Sequence, residues 1–177
     1  GSEMCIRDRF SFARKPGADT QIRKEELDID VLDQTGIFHV GSLSLTDQPA
    51  RDTTFYAVKR AKNKGSIISY DPNYRASLWP DEDTAKEQMR SLIPYVDLMK
   101  ISDEETALLT GEQNVAKAAE ILYHQGVKIV VVTLGGNGAY LYSRRKNWQR
   151  LPGLETPLQA FVWRKKVLFR PCQIWHR

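Results

Sequence analysis

The chain has 177 residues, 41% of them hydrophobic, which is enough for one modest domain with a core of its own. Its 26 Lys and Arg against 22 Asp and Glu leave a net charge of +4, unevenly spread: from Ser143 onward nine basic residues meet a single acid, so the rest is acidic. No apolar run approaches the ~20 residues of a membrane helix, Cys5 and Cys172 lack disulfide-framework or metal-ligand spacing, and the basic tail carries no nucleic-acid motif.

No signal-peptide pattern is visible, so a cytoplasmic protein is expected, without nucleic-acid or membrane partners. Phe10 to Arg14 alternates apolar and polar and predicts a half-buried strand. Glu25 to Asp33 predicts a short helix, and Ile37 to Val40 a strand ending in Gly41 and Ser42. Ala50 to Lys64 places Phe55, Val58 and Ala61 at helical spacing, with Gly65 as a stop. Ser66 to Asp71 is an apolar run with β-branched residues, and Pro72 ends the strand because it has no N–H for a ladder. A helix is expected over Asp83 to Leu92, a strand over Val96 to Ile101, and a short helix over Asp103 to Thr110 closed by Gly111. Asn114 caps a further helix running to Gln125 and stopped by Gly126. Lys128 to Leu134 reads as a strand of a parallel sheet, and Ala139 to Tyr142 returns after a glycine turn. This alternation predicts an α/β fold with βαβ units, a mostly parallel sheet and right-handed crossovers. After Tyr142 the pattern breaks, with a short strand near Ala160 to Trp163 at most. Residues 1–9 are equally patternless.

Three strand ends carry polar groups, and in open α/β sheets ligands bind at the carboxyl ends of strands. Asp71, Asn73 and Arg75 can bond hydroxyls and hold an anion; Asp-Pro and Asn are also ordinary loop formers, and both readings stand. Ser102 and Glu105 have the spacing of a capping box. A helix start there is also a phosphate site, and a carboxylate beside it can hold Mg²⁺ directly or through water. Leu134-Gly135-Gly136-Asn137-Gly138 allows close backbone approach beside Thr133, or forms a plain turn on Asn137-Gly138. It is not a Walker loop, since no Gly-Lys-Ser/Thr follows.

In their order and spacing these segments resemble the PfkB-type, ribokinase-like sugar kinases, in particular the fructokinase branch. Phe10 to Asp19 resembles a lid segment, and His39 to Leu45 the next strand edge. Asp71-Pro72-Asn73-Tyr74-Arg75 followed by Leu78-Trp79 has the fructokinase form. Lys100-Ile101-Ser102-Asp103-Glu104-Glu105 matches a metal-proximal Asn-x-x-Glu motif with Ser102 in the Asn position, and Val131 to Gly138 matches the nucleotide strand. The resemblance implies a sheet with helices on both faces, incomplete at both ends of this chain. It also implies ATP-dependent phosphorylation of a sugar hydroxyl. Arg14, Gly41, Asp71, Asn73 and Arg75 would face the sugar; Lys100, Ser102, Thr133, Gly135 and Gly138 the nucleotide; Glu105 would position Mg²⁺. It leaves room for a homodimer of the intact parent.

The family also carries a Gly-Ala-Gly-Asp motif whose Asp is the catalytic base, and this motif is not in the sequence, so no catalytic residue is assigned. Residues 10–142 are therefore expected to be a partial kinase domain, 143–177 to be translated out of frame, and 1–9 to be a non-native leader resembling translated adapter. The expected activity is that of an ATP-dependent fructokinase-like kinase, lost in this fragment. The alternatives are a non-catalytic nucleotide- or sugar-binding domain of the same fold, or a kinase of the ribokinase or 2-keto-3-deoxygluconate type.

Overall fold

The structure is a computed structural model that describes residues 17–143 and the backbone of Phe161–Val162. The expected strand at Phe10 to Arg14 lies outside the described residues. The expected helix at residues 25–33 divides in two: a 3-10 turn at Lys24–Glu26, then α1, Ile29–Gln34. The break has a local cause. The Glu26 side chain accepts the Arg23 N–H at 2.6 Å, and Asp28 restarts the chain by capping the Val31 N–H at 3.1 Å.

The alternation of strand and helix then follows the expectation closely. In order come β1 (Ile37–Gly41), α2 (Ala50–Asn63), β2 (Ile67–Asp71), α3 (Glu82–Leu92), β3 (Leu98–Ser102), α4 (Asp103–Thr110), α5 (Val115–His124), β4 (Ile129–Thr133), β5 (Ala139–Tyr142) and β6 (Phe161–Val162). Gly65, Gly111 and Gly126 all take positive φ just beyond their helices, at 90°, 80° and 114°. Asp81 caps α3 and Asn114 caps α5 through side-chain acceptors. β3 begins two residues later than Val96. Asp97 instead ties the strand entrances together: its N–H donates to Ile68, and its carbonyl accepts from Lys128 and Ile129.

The sheet order is β1-β2-β3-β4-β5-β6. The first four strands are parallel, β5 returns antiparallel to β4, and β6 pairs antiparallel with β5 and so runs in the direction of the first four. The resemblance implied helices on both faces, whereas right-handed crossovers between strands laid down in sequence carry the described helices to one face. The burial pattern agrees. Val40, Ile68, Tyr70, Met99, Ile101, Val130 and Val132 alternate along their strands and are buried in one cluster with Val58 and Ala61 of α2, Met89 and Leu92 of α3, and Leu122 of α5. Among the described residues the opposite face stays open: Ile37 is 63% exposed and Ile67 48%, with His39, Ser69, Asp71, Lys100 and Thr133 on the same side. The strand ends on that side form the candidate site. Among the described residues no helix is long and apolar enough to cross a membrane.

Candidate functional site

The carboxyl ends of β1 to β4 bring Gly41, Asp71, Ser102 and Thr133 to one edge of the sheet. Gly41 lies in register with Asp71, and Ser102 with Thr133. A Cβ on Gly41 would sit 3.5 Å from the Asp71 carbonyl, an ordinary contact, so packing alone does not demand glycine there. Lys100 follows Met99, which pairs with Tyr70, so Lys100 lies beside Asp71 on the open face. Its Nζ stands 3.0 Å from Asp71 Oδ2. The residue expected at the sugar and one expected at the nucleotide therefore share an ion pair. The second oxygen, Asp71 Oδ1, is buried and has no hydrogen-bond partner among the described residues.

Beyond Asp71 the chain turns sharply. Asn73 adopts φ 46°, a left-handed conformation that Asn tolerates better than most residues. Arg75 is exposed, and its Nη1 donates to the Tyr74 carbonyl at 3.0 Å. The ionic partner of Asp71 is Lys100 and not the Arg75 of its own segment. The register places Lys100 on the adjacent strand, whereas Arg75 lies past the turn.

Glu105, in the first turn of α4, is 7% exposed. Its Oε2 accepts the Ser102 N–H at 2.8 Å and the Ser102 hydroxyl at 2.9 Å, which completes the predicted capping box. Its Oε1 accepts the Tyr74 N–H at 2.7 Å. From the other flank, buried Ser42 donates both its hydroxyl and its N–H to the Pro72 carbonyl. Sequence reading missed this bond from Ser42 and the reach of Glu105 to Tyr74. Ser42 follows a strand-terminal glycine and reads as a plain turn residue, and Glu105 satisfies the capping-box pattern without Tyr74.

At β4, the Thr133 hydroxyl donates to the Ile101 carbonyl at 3.2 Å and keeps its acceptor lone pairs free. The glycine segment is a hairpin connection with a 3-10 turn at Gly135–Asn137, closed by the Leu134 N–H on the Gly138 carbonyl at 2.8 Å. Gly135 and Gly138 take φ of 56° and 98°. Among the described residues, chain neighbours aside, no atom lies within 4 Å of a Cβ built on Gly135 or Gly136, so the turn presents bare backbone. Burial first, and then the charges of Glu105 and Asp71, push the Tyr70 hydroxyl well above its ordinary value; it stays neutral and donates to the Met89 carbonyl. Arg14 lies outside the described residues.

A family model for the pfkB family of carbohydrate kinases matches residues 7–156. The chain belongs to that family. Its relatives include a probable fructokinase-4 from Arabidopsis thaliana, 40% identical over 136 residues that make up 76% of this chain and 42% of the relative. Fructokinase-2 of Solanum lycopersicum is 38% identical over 137 residues, 77% of this chain and 42% of the relative. Among solved structures, a fructokinase from Vibrio cholerae O395 with fructose, ADP and calcium ion bound superposes with a TM-score of 0.68 at 30% identity, covering 76% of this chain and 43% of that one. An aminoimidazole riboside kinase from Salmonella enterica gives 0.64 at 26% identity, covering 76% and 45%. The fold is thus ribokinase-like, and the chain spans less than half the length of the relatives it matches.

The resemblance assigns Glu105 to Mg²⁺. Both its oxygens already accept protein donors, and the described residues hold no group of three His, Cys, Asp or Glu arranged to take a metal. The carboxylates among the described residues do not by themselves make a direct metal-ligand set.

Proposed function

We propose that this chain is part of an ATP-dependent, fructokinase-like sugar kinase, and that it carries the strand edge shared by sugar and nucleotide. Gly41, Asp71, Asn73 and Arg75 face the sugar, with Arg14 from the lid side. Lys100, Ser102, Thr133, Gly135 and Gly138 face Mg²⁺-ATP, which enters as substrate. Phosphoryl transfer rests mainly on positioning and charge neutralisation, so groups that place substrates are what this chemistry needs.

The observation that carries the reading is the Lys100–Asp71 pair. It sits on adjacent strands at the open edge, and the buried Asp71 Oδ1 has no hydrogen-bond partner among the described residues. The partly exposed Asp71 side chain offers a sugar hydroxyl an acceptor beside a cation suited to phosphate. The same reading holds that this chain does not turn over. Deprotonating a sugar hydroxyl needs a positioned base, a contribution of ~10²–10⁴-fold. The family's Gly-Ala-Gly-Asp motif is absent from the 177 residues.

A coupled ADP-release assay with fructose, ribose and 2-keto-3-deoxygluconate tests both halves. The chain as it stands should give no sugar-dependent ADP. Sugar-dependent release abolished by Asp71→Asn would overturn the inactivity. A version with the reading frame restored should phosphorylate fructose; phosphorylation of none of the three sugars would sink the kinase reading.

A further inference from the structure

We propose that Glu105 is a positioning residue that holds the Asp71–Arg75 loop in its working shape, and that its carboxylate is turned toward the protein, not toward a metal ion.

Three observations carry this. First, Glu105 is almost fully buried, and both oxygens accept bonds, from the Tyr74 N–H at 2.7 Å and from the Ser102 N–H and hydroxyl at 2.8 and 2.9 Å. A capping box needs only the Ser102 side of this arrangement. The bond to Tyr74 crosses from α4 to the loop after β2, 31 residues away in sequence. Second, the loop is gripped on its other flank, where Ser42 donates twice to the Pro72 carbonyl. Third, Asn73 lies between these two grips and is the one non-glycine residue with positive φ among the described residues. A left-handed Asn persists where its surroundings over-determine it. The grips on Pro72 and Tyr74 do this from both sides, so Asn73 and Arg75 are presented before any ligand arrives. Hydrogen bonds to an ionised acceptor are among the stronger ones in proteins.

The functional meaning of the clamp rests on the sugar-kinase reading, but its test does not. Amide hydrogen exchange and NMR spectra of the full chain are recorded without sugar or nucleotide. Glu105→Ala should speed exchange of the Tyr74 amide about tenfold or more, the size of losing a bond to a charged acceptor. It should also abolish the backbone coupling that marks positive φ at Asn73, while the Val130 and Val132 amides keep their protection. Glu105→Gln retains one acceptor oxygen and should restore most of the Tyr74 protection, a rescue that a metal-ligand role does not predict. In the unmodified chain, Mg²⁺ alone should leave the Glu105 carboxylate carbon and the Tyr74 amide unmoved.

Unchanged Tyr74 exchange in Glu105→Ala would overturn the proposal. So would a saturable shift of the Glu105 carboxylate with Mg²⁺, a measurement that needs no variant to fold. If the clamp passes while the frame-restored chain phosphorylates no sugar, the kinase reading fails and the clamp stands.

Discussion

The Asp97 side chain joins α2, β2 and the residue before β4, so its removal is a sharp test of how this sheet is assembled. It is 6% exposed at the entrance to β3. Its Oδ2 accepts the Ile68 N–H of β2 at 3.0 Å and lies 2.6 Å from Lys62 Nζ of α2, while Oδ1 lies 2.5 Å from Lys128 Nζ before β4. Asp97→Ala strips a buried amide of its acceptor, which costs ~1–3 kcal/mol. The two lysines are 33% and 66% exposed. They recover water when the carboxylate is gone, so each pair adds only ~0–1 kcal/mol. The expected loss is therefore ~1–5 kcal/mol. Asp97→Asn keeps an oxygen for Ile68 and loses only the charge, so its loss should be ~1 kcal/mol. Urea unfolding of the full chain at neutral pH measures both variants against the parent. The pH dependence adds a second check. Burial alone would raise the Asp97 carboxyl, but the hydrogen bonds from Lys128, Lys62 and the Ile68 amide hold it below its ordinary value. A depressed carboxyl contributes stability above its unfolded pKa and loses it as pH falls toward the folded one. The gap between parent and Asp97→Asn should thus narrow as pH drops below about 4. An Asp97→Ala chain within ~0.5 kcal/mol of the parent, or an Asn variant as damaged as the Ala one, would refute the reasoning.

Two further perturbations have definite signs. Gly111 closes α4 at φ 80°, where a Cβ is strained, so Gly111→Ala should destabilise by ~1–2 kcal/mol in the same urea assay even though the space around it is open. Asp33 is held down to about 2 by hydrogen bonds from Arg60 and then Lys64; the stability it contributes is present above its ordinary value and disappears as pH falls through about 2, so melting temperatures of parent and Asp33→Asn should differ at neutral pH and converge in strong acid.

Much of this architecture is local chemistry and was legible in the chain. Pro72 cannot extend a ladder, so β2 ends at Asp71. Gly65, Gly111 and Gly126 stop helices because they accept positive φ. Asn114 caps α5, and Ser102 with Glu105 builds the capping box, because those side chains reach backbone donors three residues away. Polar residues at the strand ends were visible for the same reason: each follows directly from where its strand stops. What the order of residues could not supply is which distant groups meet. Lys100 lies beside Asp71 because β2 and β3 pair in one register, and a shift of a single residue would turn it to the helix-covered face. The Tyr74 amide finds Glu105, and the Pro72 carbonyl finds Ser42, only once β1, β2 and β3 lie side by side. The sidedness of the helices is of the same kind. Period-two burial marks one face of each strand, but the sequential strand order, combined with right-handed crossovers, is what gathers the described helices on that face and leaves the polar edge open on the other.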